Sequence, residues 1–207
     1  MRVYRTGAGV IALSMALSAC SLGGLLGGGG KAPTTLVTLT PEAAAPAQIA
    51  RSVAAGQAVT IQTPTAGKEL TAVRVPVQVT PTDVQYVANL TLVDVPARLF
   101  QNLLAETVRR TTNRVVLDPS QTTLDPGLTV TGELQRFGYD ASTGQVVVSY
   151  DAALSTAGGN RVETRRFTAT APADGTAASV GPALNRAANE VALDVAKWIG
   201  GSSSSRP

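Results

Sequence analysis

Cys20 is the only cysteine in a sequence of 207 residues, and there is no histidine. A lone thiol forms no disulfide within its own chain, and thiolate or imidazole clusters for zinc, copper or iron are out of reach. The fold must therefore rest on a hydrophobic core. The surroundings of Cys20 constrain the chain further. Leu17-Ser18-Ala19 precede it, Gly7 to Ala19 is an apolar run, and Arg2 and Arg5 come before that. A basic start, an apolar stretch of about a dozen residues and small residues at the cut describe a secretory signal. A bilayer span would need about 20 apolar residues. Ser21-Leu22-Gly23-Gly24-Leu25-Leu26 and Gly27 to Gly30 follow. No core packs around a thiol in such a stretch, so a buried or reactive cysteine is the weaker reading. The expectation is a signal over 1–19, cleavage between Ala19 and Cys20, and fatty acylation (palmitate) of Cys20. Stable anchoring takes more than one acyl chain, which a diacylglyceryl thioether plus an amide-linked chain provides.

Composition bounds what remains. Apolar residues make up 44%, enough for one core of ordinary size and too many for a disordered chain. Aromatic residues make up only 4%, which argues against a stacking platform for bases. The net charge is +3, and a cleaved signal would take Arg2 and Arg5 with it. Nucleic acid is not an expected partner, and no cofactor is implied.

Residues 20–34 read as a lipidated cysteine and a glycine-rich tether, 35–199 as the folded domain, and 200–207 as a polar disordered tail. Within the domain, Thr35 to Thr40, Ala58 to Gln62, Leu70 to Val79 and Tyr86 to Val93 are strand candidates. Pro76 marks its run as an edge or a bulge. Asp94-Val95-Pro96 opens a helix, with aspartate suited to the N-cap and Leu99, Phe100, Leu103, Leu104 and Val108 on one face. Val115 to Leu117 is a short strand. Three longer strands follow in a meander: Leu128, Val130 and Leu134 face one way in the first and Val146, Val148, Tyr150, Ala152 and Leu154 in the second, while the third, from about Arg161 to Thr170, shows a less clear apolar face. Asp140 to Gly144 and Ala157 to Asn160 fit hairpin turns. Val180, Leu184, Ala187, Ala188, Val191, Val195, Trp198 and Ile199 trace a last helix, beginning at about Ala177 to Val180 because Pro182 suits only its start. The predicted fold is α+β, an antiparallel sheet with two main amphipathic helices packed on one face.

Chemistry is sparse. No histidine stands as general base, and no Gly-x-Ser-x-Gly or Ser-x-x-Lys motif occurs. Gly27 to Lys31 is followed by Ala32, so the phosphate-loop pattern is not met. Asp118, Asp125, Glu133, Asp140 and Asp151 read as turn chemistry and solvation. Two arginine groups are candidate partner-binding residues, Arg109 and Arg110 at a helix end and Arg165 and Arg166 on a strand. Arg114 and Arg161 lie beside them, and Phe167 and Val147 are placed on the far face of the sheet. The plainer reading of the arginines is a solvated face that complements a helix dipole.

The order of these segments carries a resemblance. A lipobox and tether lead to Val73-Arg74-Val75-Pro76-Val77, then Pro96-Ala97-Arg98-Leu99-Phe100-Gln101-Asn102-Leu103-Leu104. Leu128-Thr129-Val130-Thr131-Gly132-Glu133-Leu134-Gln135-Arg136-Phe137 comes next, then Gly144 to Leu154 and an alanine-rich helix. Over roughly residues 35–199 this resembles the ABC-type transport auxiliary lipoproteins, the family of paraquat-inducible protein C. Val93-Asp94-Val95-Pro96 stands where relatives often carry a tryptophan. The resemblance implies no catalysis. It implies a docking subunit on the periplasmic face of the outer membrane, partnered by an MCE-domain protein and its ABC transporter, with homo-oligomers such as a ring of copies allowed. Ser21 after the lipidated cysteine fits outer-membrane sorting. The rival reading is a lipoprotein activator or scaffold of a peptidoglycan enzyme, and a third is a lipid carrier with its own cavity.

Overall fold

β6 (Leu128–Asp140) is the spine of the molecule. In the computed structural model, which describes residues 35–46, 52–125, 127–156 and 161–201, this long strand pairs along its whole length with β7 (Gln145–Ser155). β7 pairs in turn with β8 (Val162–Pro172), and both ladders are antiparallel. The opposite edge of β6 is shared by three short partners laid end to end: β1 (Val59–Ile61), β2 (Thr65–Ala66) and β3 (Arg74–Thr80), all parallel to it. β3 pairs outward with β4 (Asp83–Thr91), and β1 pairs outward with β5 (Val116–Leu117). The fold is α+β as expected, but the sheet is mixed rather than wholly antiparallel. The physical reason is chain length. The connections from β1 to β5 and β6 are long enough to return the chain in the same direction, which a hairpin cannot do.

Alternation explains β6 and β7. Val130, Leu134, Val148 and Tyr150 are fully buried on one face. A register shift between Leu134 and Arg136 turns Phe137 to the same side. Gly132 is required by close approach: a Cβ there would lie 2.2 Å from the Asp151 carbonyl oxygen and 2.6 Å from the Tyr150 ring. Pro76 sits at a bulge rather than an edge. The β3–β4 ladder shifts between Arg74 and Pro76, and Asn89, at φ 58°, lies in the stretch of β4 left unmatched. The run expected from Leu70 is strand only from Arg74, because Lys68–Leu70 forms a 3-10 turn that buries Leu70.

Both helices cover one face. Tyr150 and Phe167 are cross-strand neighbours. Phe100 of α1 (Pro96–Thr111) packs on Tyr150 with ring centroids 5.1 Å apart, and Trp198 of α2 (Ala177–Gly201) packs on Phe167 at 5.6 Å. The helices run in the same direction, since Thr112 lies against Gly200. Val95, not Asp94, is the N-cap of α1; the Asp94 carboxylate accepts from the Val95 N–H and pairs with Arg98, while Pro96 takes the first helical position. α2 starts at Ala177, where the Thr176 hydroxyl accepts from the Ser179 N–H. Among the described residues no helix is long and apolar enough to cross a membrane. The described residues lie within one compact unit, Pro33–Pro207.

Two expectations are corrected. Thr35 to Thr40 is not a strand; it makes a single parallel bridge, Val37 to Leu92. Neither Phe167 nor Val147 is exposed, for each is only 8% accessible; Val147 does lie on the face away from the helices, whereas Phe167 turns to the helix face. The even-spaced Phe167, Ala169 and Ala171 point under α2, so the face of β8 that was hard to read from sequence is an inward one. Cys20, its signal and tether, Ala157 to Asn160, and residues 202–207 of the tail lie outside the described residues.

Candidate docking surface

The chain joins the domain at a defined place. Val37 hydrogen-bonds with Thr91 and Val93 and packs 3.7 Å from where a Cβ of Gly181 would lie, in the first turns of α2. From there residues 37–43 run along α2 as a strap. Asn185 Oδ1 accepts from the Thr40 N–H at 2.8 Å, and Asn189 Oδ1 accepts from the Glu42 N–H at 2.8 Å. Asn189 Nδ2 donates to the Thr40 and Asn185 carbonyls, both at 2.9 Å, and Asn185 Nδ2 donates to the Glu42 carboxylate. Two side-chain amides one helical turn apart thus do the work of a neighbouring strand. Sequence reasoning missed them; a pair of asparagines at i and i+4 in an alanine-rich helix was the available signal.

Arg110 belongs to this strap. Its Nη1 donates to the Ala43 carbonyl at 2.9 Å and its Nε to Glu106 at 2.8 Å. Arg109 reaches the same glutamate at 3.6 Å and keeps more exposure. Arg114 is buried, donates to the Gln57 carbonyl at 3.2 Å, and is pushed below its ordinary range by desolvation. It lines an open pocket of about 450 Å³ between the helix C-termini and residues 53–57.

The strand group divides by face. Arg166 lies on the open face and clasps Asp151 with two hydrogen bonds of 2.5 Å, which raises the guanidinium and lowers the carboxyl. Arg165 lies on the helix face. Its guanidinium carbon is 5.9 Å from the ring centroids of both Phe167 and Trp198, a cation–π arrangement. Trp198 Nε1 donates to Glu163 at 3.3 Å, and Glu163 also pairs with Arg161. Among the described residues the two arginine groups make no hydrogen bond or ion pair with each other. Both do lie toward the C-terminal ends of the helices. Seventeen residues of α2 separate Gly181, beside the start of the strap, from Trp198, beside Arg165. At 1.5 Å per residue that is roughly 25 Å. The geometry suits a domain held at one end and offering charge at the other.

The carboxylates have structural work. Asp125 accepts from the Gly56 and Ala58 N–H groups, Asp118 caps a 3-10 turn at Pro119–Gln121, and Asp174 accepts from Thr176 before α2. Asp140 accepts from Ser142 and Arg136 and is held down at about 2, first by the serine hydroxyl.

A profile of the family described as ABC-type transport auxiliary lipoprotein component matches residues 38–196. The fold is similar to that of a Xanthomonas campestris protein of family DUF330, with a TM-score of 0.64 at 18% identity, over 84% of this chain and 98% of the other. A second crystal structure, of an uncharacterised protein, aligns with a TM-score of 0.58 at 13% identity, over 75% of this chain and 97% of the other. No curated protein is similar enough to this chain to match it.

Proposed function

Because the chain belongs to the ABC-type transport auxiliary lipoproteins, we propose that it is the outer-membrane-anchored docking subunit of an MCE-type system that moves phospholipid or another lipid across the periplasm. The observation that carries this reading is the family match, which spans nearly the whole folded domain. Acyl chains on Cys20 hold the protein on the periplasmic face, and Ser21 directs it to the outer membrane. The tether leads to the strap at the N-terminal end of α2, and Arg109 and Arg165 stand toward the other end, where the tunnel-forming subunit docks. Confinement to one surface raises effective concentration, so a weak contact suffices. The protein works by binding and not by catalysis.

Photoreactive residues at Arg109 and Arg165 in intact cells test this. Adducts with an MCE-domain subunit are expected. Adducts with a penicillin-binding protein instead would transfer the protein to the peptidoglycan machinery.

A further inference from the structure

Three exposed aliphatic side chains meet where the chain enters the domain. Leu36 is 51% exposed, Val93 47% and Val73 38%. Their backbones lie side by side, for the Val37 carbonyl accepts from the Val93 N–H and the Val73 carbonyl from the Leu92 N–H. By ordinary strand spacings the three Cα atoms fall within roughly 10 Å of one another. Val37 and Leu92 pack toward the core, so Leu36 and Val93, each one position away in extended chain, turn to the open face. The same face carries Arg74, opposite Thr91, and then Tyr86 and the half-exposed Val84 on β4. The Arg74 guanidinium stands 4.3 Å over the Tyr86 ring. The neighbouring Asp94 is balanced by Arg98. Exposed aliphatic residues that stand singly need no explanation, whereas a contiguous group marks a contact surface.

The occupant follows from where the chain leads. Fourteen residues lie between Cys20 and Thr35, six of them glycine. A glycine-rich linker of that length reaches about 20 Å on average and at most roughly 50 Å. Leu36 is the second residue beyond it, so lipid attached at Cys20 is never more than a linker's length from the patch. We infer that this corner of the domain rests on the phospholipid surface, with Leu36 and Val93 entering the boundary between headgroups and acyl chains, Tyr86 at headgroup level and Arg74 on lipid phosphates. An aromatic ring and a long cationic side chain beside exposed aliphatics suit that boundary, since each has an apolar body and a polar tip. A few aliphatic side chains bind a membrane only weakly from solution, and a tether offsets that weakness with a high effective concentration. Occupancy therefore rests on the anchored reading above, while the make-up of the patch does not. The contact also orients the domain. α2 starts beside Val37, so Trp198 and Arg165 stand roughly 25 Å along the helix from the lipid surface.

The test places a photoreactive residue at Leu36, at Val93 or, as a distant control, at Lys197. The protein is purified from membranes and reconstituted in vesicles of phosphatidylethanolamine and phosphatidylglycerol. Phospholipid adducts are expected from Leu36 and Val93, and none above background from Lys197. Arg74→Glu is expected to lower the Val93 yield several-fold through repulsion from lipid phosphates, and Arg74→Lys to keep it. Equal lipid adducts from all three positions, adducts between protein chains in place of lipid at Leu36 and Val93, no adduct from vesicles that carry the protein, or an unchanged yield after Arg74→Glu overturns the inference. Flotation with the vesicles reads the anchor separately. A chain that fails to float counts against the anchor instead; the same three positions in the chain coupled through its Cys20 thiol to a maleimide phospholipid then decide the patch.

Discussion

Asn189 shows how much one side chain can decide. It is 7% exposed and satisfies three backbone groups, two of them on the strap. Asn189→Ala leaves the Glu42 N–H and Thr40 carbonyl without these partners. We expect a loss of about 1–3 kcal/mol, the usual penalty for orphaned polar groups, read as a lower midpoint in urea unfolding. Faster amide exchange at Glu42 than elsewhere in the domain should accompany it. Asp140 gives a pH prediction. Its carboxyl titrates at about 2 in the folded protein, held by Ser142 and Arg136, against about 3.9 when unfolded. A depressed folded value means the contribution is complete above about pH 3.9 and is lost as pH falls through about 2. Asp140→Asn should therefore narrow the stability difference between pH 5 and pH 2.5. An unchanged acid limb would disprove the assignment. Asp151 and Asp174 are lowered in the same sense, by Arg166 and Thr176 respectively, so the domain as a whole weakens in acid.

The elements were legible in proportion to their periodicity. β6, β7, α1 and α2 were all readable because each repeats an apolar face for several turns or pleats, and each is buried on that face in the structure. Phe100 illustrates the helical stripe. It is completely buried against Tyr150, and Phe100→Ala should cost about 3–5 kcal/mol from lost transfer energy and the cavity left behind. A thermal scan checks it; a shift of only a degree or two would mean that α1 is not docked on the sheet. The short elements were legible only in part. β1 and β5 were found, but their parallel pairing was not, because two or three residues carry no information about their neighbour's direction. Thr35 to Thr40 alternates like a strand, yet β-propensity reports a surface to pack on rather than a ladder. Here Val37 and Leu39 pack against the core, Val37 keeps only its bridge to Leu92, and the amides of α2 take the backbone bonds of Thr40 and Glu42.

At the level of the whole molecule, the two ends of the domain carry different features. The strap joins near Gly181 and the exposed arginines lie toward the helix C-termini, an arrangement in keeping with the tethered docking subunit proposed above. If Cys20 carries the anchor, Cys20→Ser should move the protein from the membrane pellet to the soluble fraction without changing the thermal midpoint of the domain. Retention in the pellet after that change, together with no incorporation of a palmitate analogue in the parent, would dismiss the lipid anchor. Of the residues proposed for docking, Arg165 and Arg166 stand exposed, whereas Arg110 is tied to Ala43 and Glu106, and Phe167 is core.

Local order along the chain was enough to specify the helical stripes, the long alternating strands, the turn aspartates and the family, because each is written in contacts only a few residues apart. The parallel partners of β6, the asparagine clamp on the strap and the burial of Phe167 depend on residues up to about 150 positions apart. Which of many equally polar or apolar groups meet across such distances is settled only when the layers close, since every backbone and amide group taken from water must then find the partner that packing puts beside it.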